Sequence, residues 1–448
     1  MSKKIRLAEL HLHNYRCFES LDMDFDEKLT VLVARNGGGK TAVLDAIVAA
    51  FGPFIKTLNS AAGGGVIGRE DVRLRQHPGR ALKEMEPQYP VVLKAMGLLD
   101  DQEFDWTREL ATAKSHTKYA EDWVLRDYAQ ELRLRVQGHE PIILPVIAYY
   151  GTGRLWGRRG LSRGEKAEST SRLRGYKACL DPSSSYRDFE VWFRKMHLVV
   201  LEEGEGRSPA SEEAVGQLAG VRHAVNRGLA VTAWGGLRYR HAAGGIVASH
   251  PNHGELPVDL LSDGLRNMIG VVADIAYRMV SLNPHLGEQA AQQTPGIVLI
   301  DEVDMHLHPE WQQVVLESLR SAFPSVQFIV TTHSPQVLTT VQRKNIRLIE
   351  ERDGQIRAAE PLQDPYARES RVAPEDVMSV RSRPPVGPAQ ALEEYRRLVE
   401  KGEIDSARAL ELRRELEGAF GAGAEELQLA DLVIAKWKAL RHGRGGKQ

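Results

Sequence analysis

The chain has 448 residues, of which 42% are hydrophobic and 27% charged. That is the balance of a soluble globular protein with room for about two to three domains. Its 59 Lys and Arg against 60 Asp and Glu give a net charge of −1, which excludes a whole-molecule basic field and confines any nucleic-acid contact to a local patch. Cys17 and Cys179 stand far apart, so reduced thiols are expected, with neither a disulfide framework nor a cysteine zinc site. The opening MSKKIRLAELHLHNYRCF lacks a long apolar run, and no stretch approaches the ~20 apolar residues that span a bilayer. A cytoplasmic protein with no membrane contact is the expectation.

In chain order, Ile5–His13 alternates apolar and polar residues as a half-buried strand does. Leu29–Ala34 (LTVLVA) is an apolar run of buried-strand type, and Lys40–Phe51 reads as a helix. Between them lies Ala34-Arg-Asn-Gly-Gly-Gly-Lys-Thr41, a phosphate-binding P-loop pattern in which Ala34 replaces the first glycine. Glycines there let successive backbone N–H groups point into one hollow, and the helix adds the positive end of its dipole. Asn36, Gly37, Gly38, Gly39, Lys40 and Thr41 are therefore assigned to ATP. Lys40 reaches the β- and γ-phosphates, and the Thr41 hydroxyl ligates Mg²⁺.

Ala61–Gly65 is a flexible turn. Val91–Leu99 and Ile142–Tyr150 are expected as strands, with a helix over Tyr119–Val136 between them. Gly151–Lys177 is loop-like, and within it Arg154–Lys177 carries eight basic residues against two acidic, with Trp156 and Tyr176 interleaved. That suits contact with DNA or RNA through phosphates and stacking, or equally a solvated loop. Helices follow over Tyr186–Glu203 and Glu212–Arg227, and His250–Glu255 (HPNHGE) reads as a turn rather than a nuclease motif.

Ser262–Val280 is helical and opens on Leu261-Ser-Asp-Gly-Leu-Arg266. Ser262 suits an N-cap, and Gly264 leaves the first turn open to close approach. Gly296–Ile300 is a buried strand ending in Asp301 and Glu302, a Walker B pattern: Asp301 holds Mg²⁺ through water, and Glu302 polarises the attacking water. A helix over Pro309–Phe323, a strand over Val326–Thr331 and another over Asn345–Glu350 complete this half. His333, in the run TTHSP after a strand, faces the γ-phosphate as a catalytic sensor. His306 and His308 stand two apart, which does not put both on one helical face, so packing or supporting roles are expected rather than a metal.

Arg383–Pro388 (RPPVGP) is a stiff linker. Helices over Ala389–Glu400, Ile404–Phe420 and Glu425–Leu440 follow, with Leu392, Tyr395 and Leu398 on one face and Leu429, Leu432 and Trp437 on another. These stripes need cover, either from the chain's own core or from a partner. The fold class expected is α/β: a head with a mixed sheet built from both ends of the chain, a compact α+β insert and a C-terminal helical extension. The boundaries drawn are an N-terminal lobe over 1–150, a basic loop and helical insert over 151–250, a C-terminal lobe over 251–382, and a linker with helical module over 383–448.

Asn14-Tyr-Arg-Cys-Phe18, the P-loop, LSDG, IDEVDMHLHP and TTHSP together resemble the RecF/OLD-like ABC-type ATPases. IDEVDMHLHPEW, Ala148-Tyr-Tyr-Gly-Thr-Gly-Arg154 and Asp364-Pro-Tyr-Ala-Arg-Glu-Ser370 are similar to the compact bacterial ATPases of Septu-type and retron-associated antiphage systems, PtuA among them. The resemblance implies an ABC-type P-loop NTPase head that works as a homodimer or higher homo-oligomer. In it, LSDG is the ABC signature, and Ser262 and Gly264 cap the γ-phosphate held by the other subunit. It also implies control of a separate HNH-type nuclease (PtuB-like). His308 stands where ABC transporters carry an aspartate. No Q-loop glutamine is assigned, Gln88 and Gln102 being the candidates. Arg16 is either a γ-phosphate ligand or a solvated surface arginine. Heptads do not persist in the insert, which separates the chain from long-armed chromosome-maintenance relatives. The alternative function is a RecF-like DNA-repair ATPase that clamps DNA directly. A non-hydrolysing module would not need Glu302.

Overall fold

The computed structural model describes residues 5–60, 65–76, 85–100, 102–114, 123–155, 171–182, 186–370 and 386–444. The chain forms two compact units, Met1–Met378 and Ser379–Gln448. The turn expected over 61–65 lies outside the described residues except for Gly65, as does the first half of the linker over 383–388; Gly387 and Pro388 already belong to a helix.

The first unit is organised on a six-stranded mixed sheet in the order Gln355–Ala359, Ile346–Arg352, Leu29–Ala34, Val326–Thr331, Gly296–Ile300, Val146–Tyr150. All neighbours are parallel except the first pair. Every residue of its four strands Leu29–Ala34, Val326–Thr331, Gly296–Ile300 and Val146–Tyr150 is buried. Parallel strands covered on both faces read as near-continuous apolar runs, and these do apart from the buried, hydrogen-bonded Thr30, Gln327 and Thr331. Strands from residue 29 and residue 326 pair directly, so the sheet does join the two ends of the head.

A second, antiparallel sheet has the order Phe18–Asp24, Ile5–Tyr15, Val91–Leu99, Gln102–Leu110. It packs on helix Lys40–Leu58. Trp106 Nε1 donates to the Ala50 carbonyl at 3.1 Å, and the buried Arg108 guanidinium donates to the Ala49 carbonyl. The helix runs past Phe51 and through Pro53 to Leu58. It is long and apolar enough to cross a membrane, contrary to the expectation that no stretch would be, but 78% of that window is buried inside the fold. Its apolar surface belongs to a core helix between two sheets.

Helices Tyr186–Glu203 and Pro209–Gly228 pack beside a three-stranded antiparallel sheet, Gly235–Arg240, Gly245–His250 and Gly254–Pro257. Residues 251–253 join the last two strands, so HPNHGE is a hairpin turn, with His253 stacked on Trp234 and His250 tilted against both rings. Helix Asp263–Leu282 is buried along almost its whole length. The single helix expected over 309–323 is two, Pro309–Gln312 and Val315–Ala322, because Val314 leaves helical geometry at φ −123° and ψ −10°.

The second unit is three helices, Gly387–Glu400, Ala407–Phe420 and Glu425–Arg444, with a core of its own built on Leu392, Tyr395, Leu412, Leu416 and Leu427. The face expected on the last helix is wrong. Leu429 and Leu432 are 50% and 68% exposed, while Leu427, Ala430 and Ile434 turn inward at helical spacing. Trp437 lies against Gly402.

Candidate functional site

Three parallel strands, Leu29–Ala34, Val326–Thr331 and Gly296–Ile300, end side by side. The crevice beyond strand C-termini is where open α/β sheets bind ligands, and Lys40, Thr41, Asp301, Glu302 and His333 meet there, while Ser262 does not. The Ala34–Lys40 loop turns on Gly37 and Gly39, at φ 76° and 92°. A Cβ at Gly39 would fall 2.3 Å from the Phe18 ring. Glycine is thus required both by conformation and by the hairpin tip Asn14–Phe18 that rests on the loop.

Lys40 is buried. Its Nζ donates to the Ala34 carbonyl at 3.2 Å and to His333 Nε2 at 2.5 Å. Thr41 Oγ1 donates to Asp301 Oδ2 at 2.8 Å, and Thr331 Oγ1 donates to Asp301 Oδ1 at 2.6 Å. Glu302 sits at φ 48°, a strained conformation for a non-glycine residue, with its N–H donating to Thr331 Oγ1 at 2.8 Å. Burial holds the Lys40 ammonium below the ordinary lysine range, against the opposing pull of Asp301, Glu302 and Asp304. Burial and then the Lys40 charge hold the His333 imidazole below its ordinary value, with the same carboxylates opposing.

Arg16 is neither a solvated surface group nor free-standing. Its Nε donates to Asp71 at 2.7 Å and its Nη1 to Asp45 at 2.6 Å, tying the hairpin tip to the P-loop helix. Gln88 donates to the Glu86 carbonyl at 3.0 Å, and Gln102 is exposed at the start of a strand, so neither joins the cluster.

Ser262 is exposed at the N-cap position of helix Asp263–Leu282. Its carbonyl accepts from Arg266 N at 2.9 Å, but its hydroxyl makes no capping bond. Gly264 is buried, and a Cβ there would fall 2.5 Å from the His306 carbonyl oxygen. Asn267 Nδ2 donates to the Met305 carbonyl at 3.0 Å. The close approach allowed by Gly264 is therefore made by the chain's own loop after Asp301–Glu302.

His306 and His308 are exposed rather than packed; His308 precedes helix Pro309–Gln312. Among the described residues no cluster of three or more His, Cys, Asp or Glu could hold a metal ion. Most of the basic stretch, including Trp156, Arg158, Arg159 and Arg163, lies outside the described residues. Its described end is structural. Arg172 donates to the Leu282 carbonyl at 2.6 Å, and Tyr176, expected to stack on bases, is buried with its hydroxyl on the Pro145 carbonyl at 2.6 Å.

Sequence reasoning missed Thr331, Thr332, Asp304, Asn267 and Gln312, all of which hold the loops around the cluster. Thr331 and Thr332 immediately precede His333 in the run TTHSP, which was the available signal for them.

Residues 9–190 match the family described as "AAA domain", and residues 184–339 match "AAA domain, putative AbiEii toxin, Type IV TA system". The chain is 24% identical over 466 residues to "Retron Vc95 probable ATPase" of Vibrio cholerae, covering 92% of this chain and 87% of the relative. It is 27% identical over 489 residues to "Retron Ec83 probable ATPase" of Escherichia coli, covering 97% and 87%. Over 75 residues it is 47% identical to "Septu protein PtuA" of Bacillus mycoides, covering 17% of this chain and 10% of the relative. Among solved structures, the SMC head domain from Thermotoga maritima aligns with 15% identity and a TM-score of 0.43, over 79% of this chain and 98% of that one. A phosphate-binding loop, an Asp-Glu strand end and a histidine just past the next strand meet at Lys40 and Thr41, in a chain similar along its length to retron ATPases: the protein is an ATPase with an ABC-type head, similar to the ATPases of retron and Septu systems.

Proposed function

We propose that this ATPase is the regulatory subunit of a bacterial antiphage defence system, and that two copies close on two ATP molecules to control an associated HNH-type nuclease. The observation that carries it is the division of labour between two surfaces. Lys40, Thr41, Asp301 and His333 are already hydrogen-bonded together, while Ser262 stands exposed at the start of another helix. A sandwich in which Ser262 of one copy meets the nucleotide on Lys40 of the other, with Gly264 buried behind it against its own His306 loop, makes ATP a bridging ligand. Relatives named for retrons and for Septu support the defence setting.

In the reaction, the backbone N–H groups of Asn36–Gly39 and the Lys40 ammonium hold the phosphates of ATP. Glu302 accepts the proton of the attacking water as the water oxygen bonds to the γ-phosphorus and the bond to ADP breaks. His333 stands beside Lys40 where the γ-phosphate ends. Thr41 and Asp301, a hydroxyl and a carboxylate 2.8 Å apart, form an oxygen donor set that fits Mg²⁺. When bound, Mg²⁺ neutralises phosphate charge. Losing the γ-phosphate loosens the grip of both copies.

The test asks first whether a small HNH-type nuclease gene stands beside this one, which the proposal expects, and combines the protein with its product. Light scattering should show a larger species with ATP, and nuclease activity should differ between ATP, ADP and a non-hydrolysable analogue. Nuclease activity indifferent to nucleotide, together with tight ATP-dependent loading on DNA alone, would favour the DNA-clamping reading instead. Replacing Arg158, Arg159 and Arg163 by Glu tests nucleic-acid contact through 154–177, expected to lower the salt slope by up to about 0.9 per lost duplex contact.

A further inference from the structure

His333 is held from both sides by side chains of one other segment. On its N-terminal side, Thr332 is fully buried and its Oγ1 donates to Asp304 Oδ1 at 2.5 Å. The same hydroxyl oxygen accepts from Ser334 N at 3.0 Å. On its C-terminal side, Ser334 Oγ donates to Gln312 Oε1 at 2.7 Å, and Gln312 Nε2 donates to the Leu307 carbonyl at 3.0 Å. Asp304 is itself fixed: Met305 N donates to the Glu302 carbonyl at 3.0 Å, and Asn267 holds the Met305 carbonyl. The backbone bearing His333 is thus referenced to the turn that bears Glu302.

We propose that Asp304 is a positioning residue for ATP hydrolysis, acting through the Thr332 hydroxyl to fix the His333 imidazole beside Lys40. A histidine on a free strand end would sample several positions, and a misplacement of about 1 Å in such a group costs up to 10²-fold in rate. One short, charge-assisted bond to a buried hydroxyl removes that freedom. Asp304 acts through its bond to Thr332, and the Thr332→Val variant removes that bond while leaving the carboxylate charge in place. This rests on His333 facing the γ-phosphate.

Turnover and ATP affinity are measured for the full chain carrying Asp304→Ala, Thr332→Val, Thr332→Ser, His333→Ala and the double variant Asp304→Ala with His333→Ala. Asp304→Ala and Thr332→Val are expected to lower kcat about tenfold with KM for ATP little changed. Thr332→Ser keeps the hydroxyl and should restore most of kcat, which a mere packing defect would not allow. In the His333→Ala background, Asp304→Ala should cost nothing further. Full kcat in Asp304→Ala, or fully additive losses in the double variant, overturns the proposal. If His333→Ala alone turns over normally, the placement of His333 falls first, and that outcome is read from the single variant. Thermal melting identifies any variant that lost its fold, in which case the Thr332→Val and Thr332→Ser pair decides.

Discussion

Asp301 accepts a hydroxyl hydrogen bond on each carboxylate oxygen, from Thr41 at 2.8 Å and from Thr331 at 2.6 Å. The carboxylate is therefore aimed by the P-loop helix and by the neighbouring strand at once. A group aimed in advance needs no reorganisation when substrate arrives.

Glu302→Gln should bind ATP normally and stall turnover, because an amide cannot accept the proton of the attacking water. Lys40→Ala should weaken nucleotide binding instead. Phosphate release and equilibrium nucleotide binding, measured on both variants, separate the two roles. Normal turnover in Glu302→Gln removes it from the chemistry.

Ser262→Arg places a large cation on an exposed position and should prevent two heads from closing on ATP, while each P-loop still binds nucleotide. Light scattering with ATP and steady-state turnover report it. If assembly size and turnover both match the unsubstituted protein, Ser262 faces no partner nucleotide.

Gly264→Ala would drive a methyl group to 2.5 Å from the His306 carbonyl oxygen. Backbone cannot step aside as a flexible side chain can, so a loss of about 1–3 kcal/mol is expected. Because the displaced loop begins at Glu302, turnover should fall as well. Thermal unfolding and phosphate release would show both, and an unaltered melting point would mean that this contact gives way at no cost.

Asp24 bonds Arg347, and the Arg347 guanidinium holds its carboxyl below the usual carboxylate range. A depressed carboxylate adds stability at pH values above its unfolded value, lost as pH falls through the folded one. The Asp24 side chain is largely exposed, so the contribution is small. Asp24→Asn should lower the melting temperature slightly at pH 7, and the difference should shrink as pH falls through the depressed folded value, below which Asp24 is as neutral as the asparagine. A difference that persists at low pH would assign the effect to packing.

The second unit has its own apolar core, so removing residues 386–448 should leave a folded head with ATP turnover near that of the full chain. Binding of the nuclease should be lost if the exposed Leu429 and Leu432 dock it. Co-purification at full stoichiometry after truncation rules out that docking role. An aggregated head instead means that these helices cover it.

The central strands were legible because burial on both faces leaves mostly apolar residues, as in LTVLVA and GIVLI. Gln102–Leu110 was not, since QEFDWTREL buries Trp106, Arg108 and Leu110 only on alternate positions, and a buried arginine looks like surface in a sequence. The P-loop, Asp301, Glu302 and His333 were legible because their chemistry fixes their spacing along the chain. Thr331, Thr332 and Asp304 were not. Their partners lie about a strand and a helix away, and only the parallel register of 296–300 with 326–331 brings them together. Leu429 and Leu432 misled because an apolar pair on a helix does not say which neighbour covers it.

The pairing of strand Leu29–Ala34 with strand Val326–Thr331 also sets when the protein can act during its own synthesis. The phosphate loop leaves the ribosome early, yet Asp301, Thr331 and His333 emerge only after most of the head has been made. Until then Thr41 has no carboxylate to meet, and the apolar strand beside it has no neighbour. Pairings this distant in sequence form slowly and leave strand edges exposed meanwhile. A nascent or truncated chain ending before about residue 330 should therefore be inert toward ATP and a natural client for chaperones.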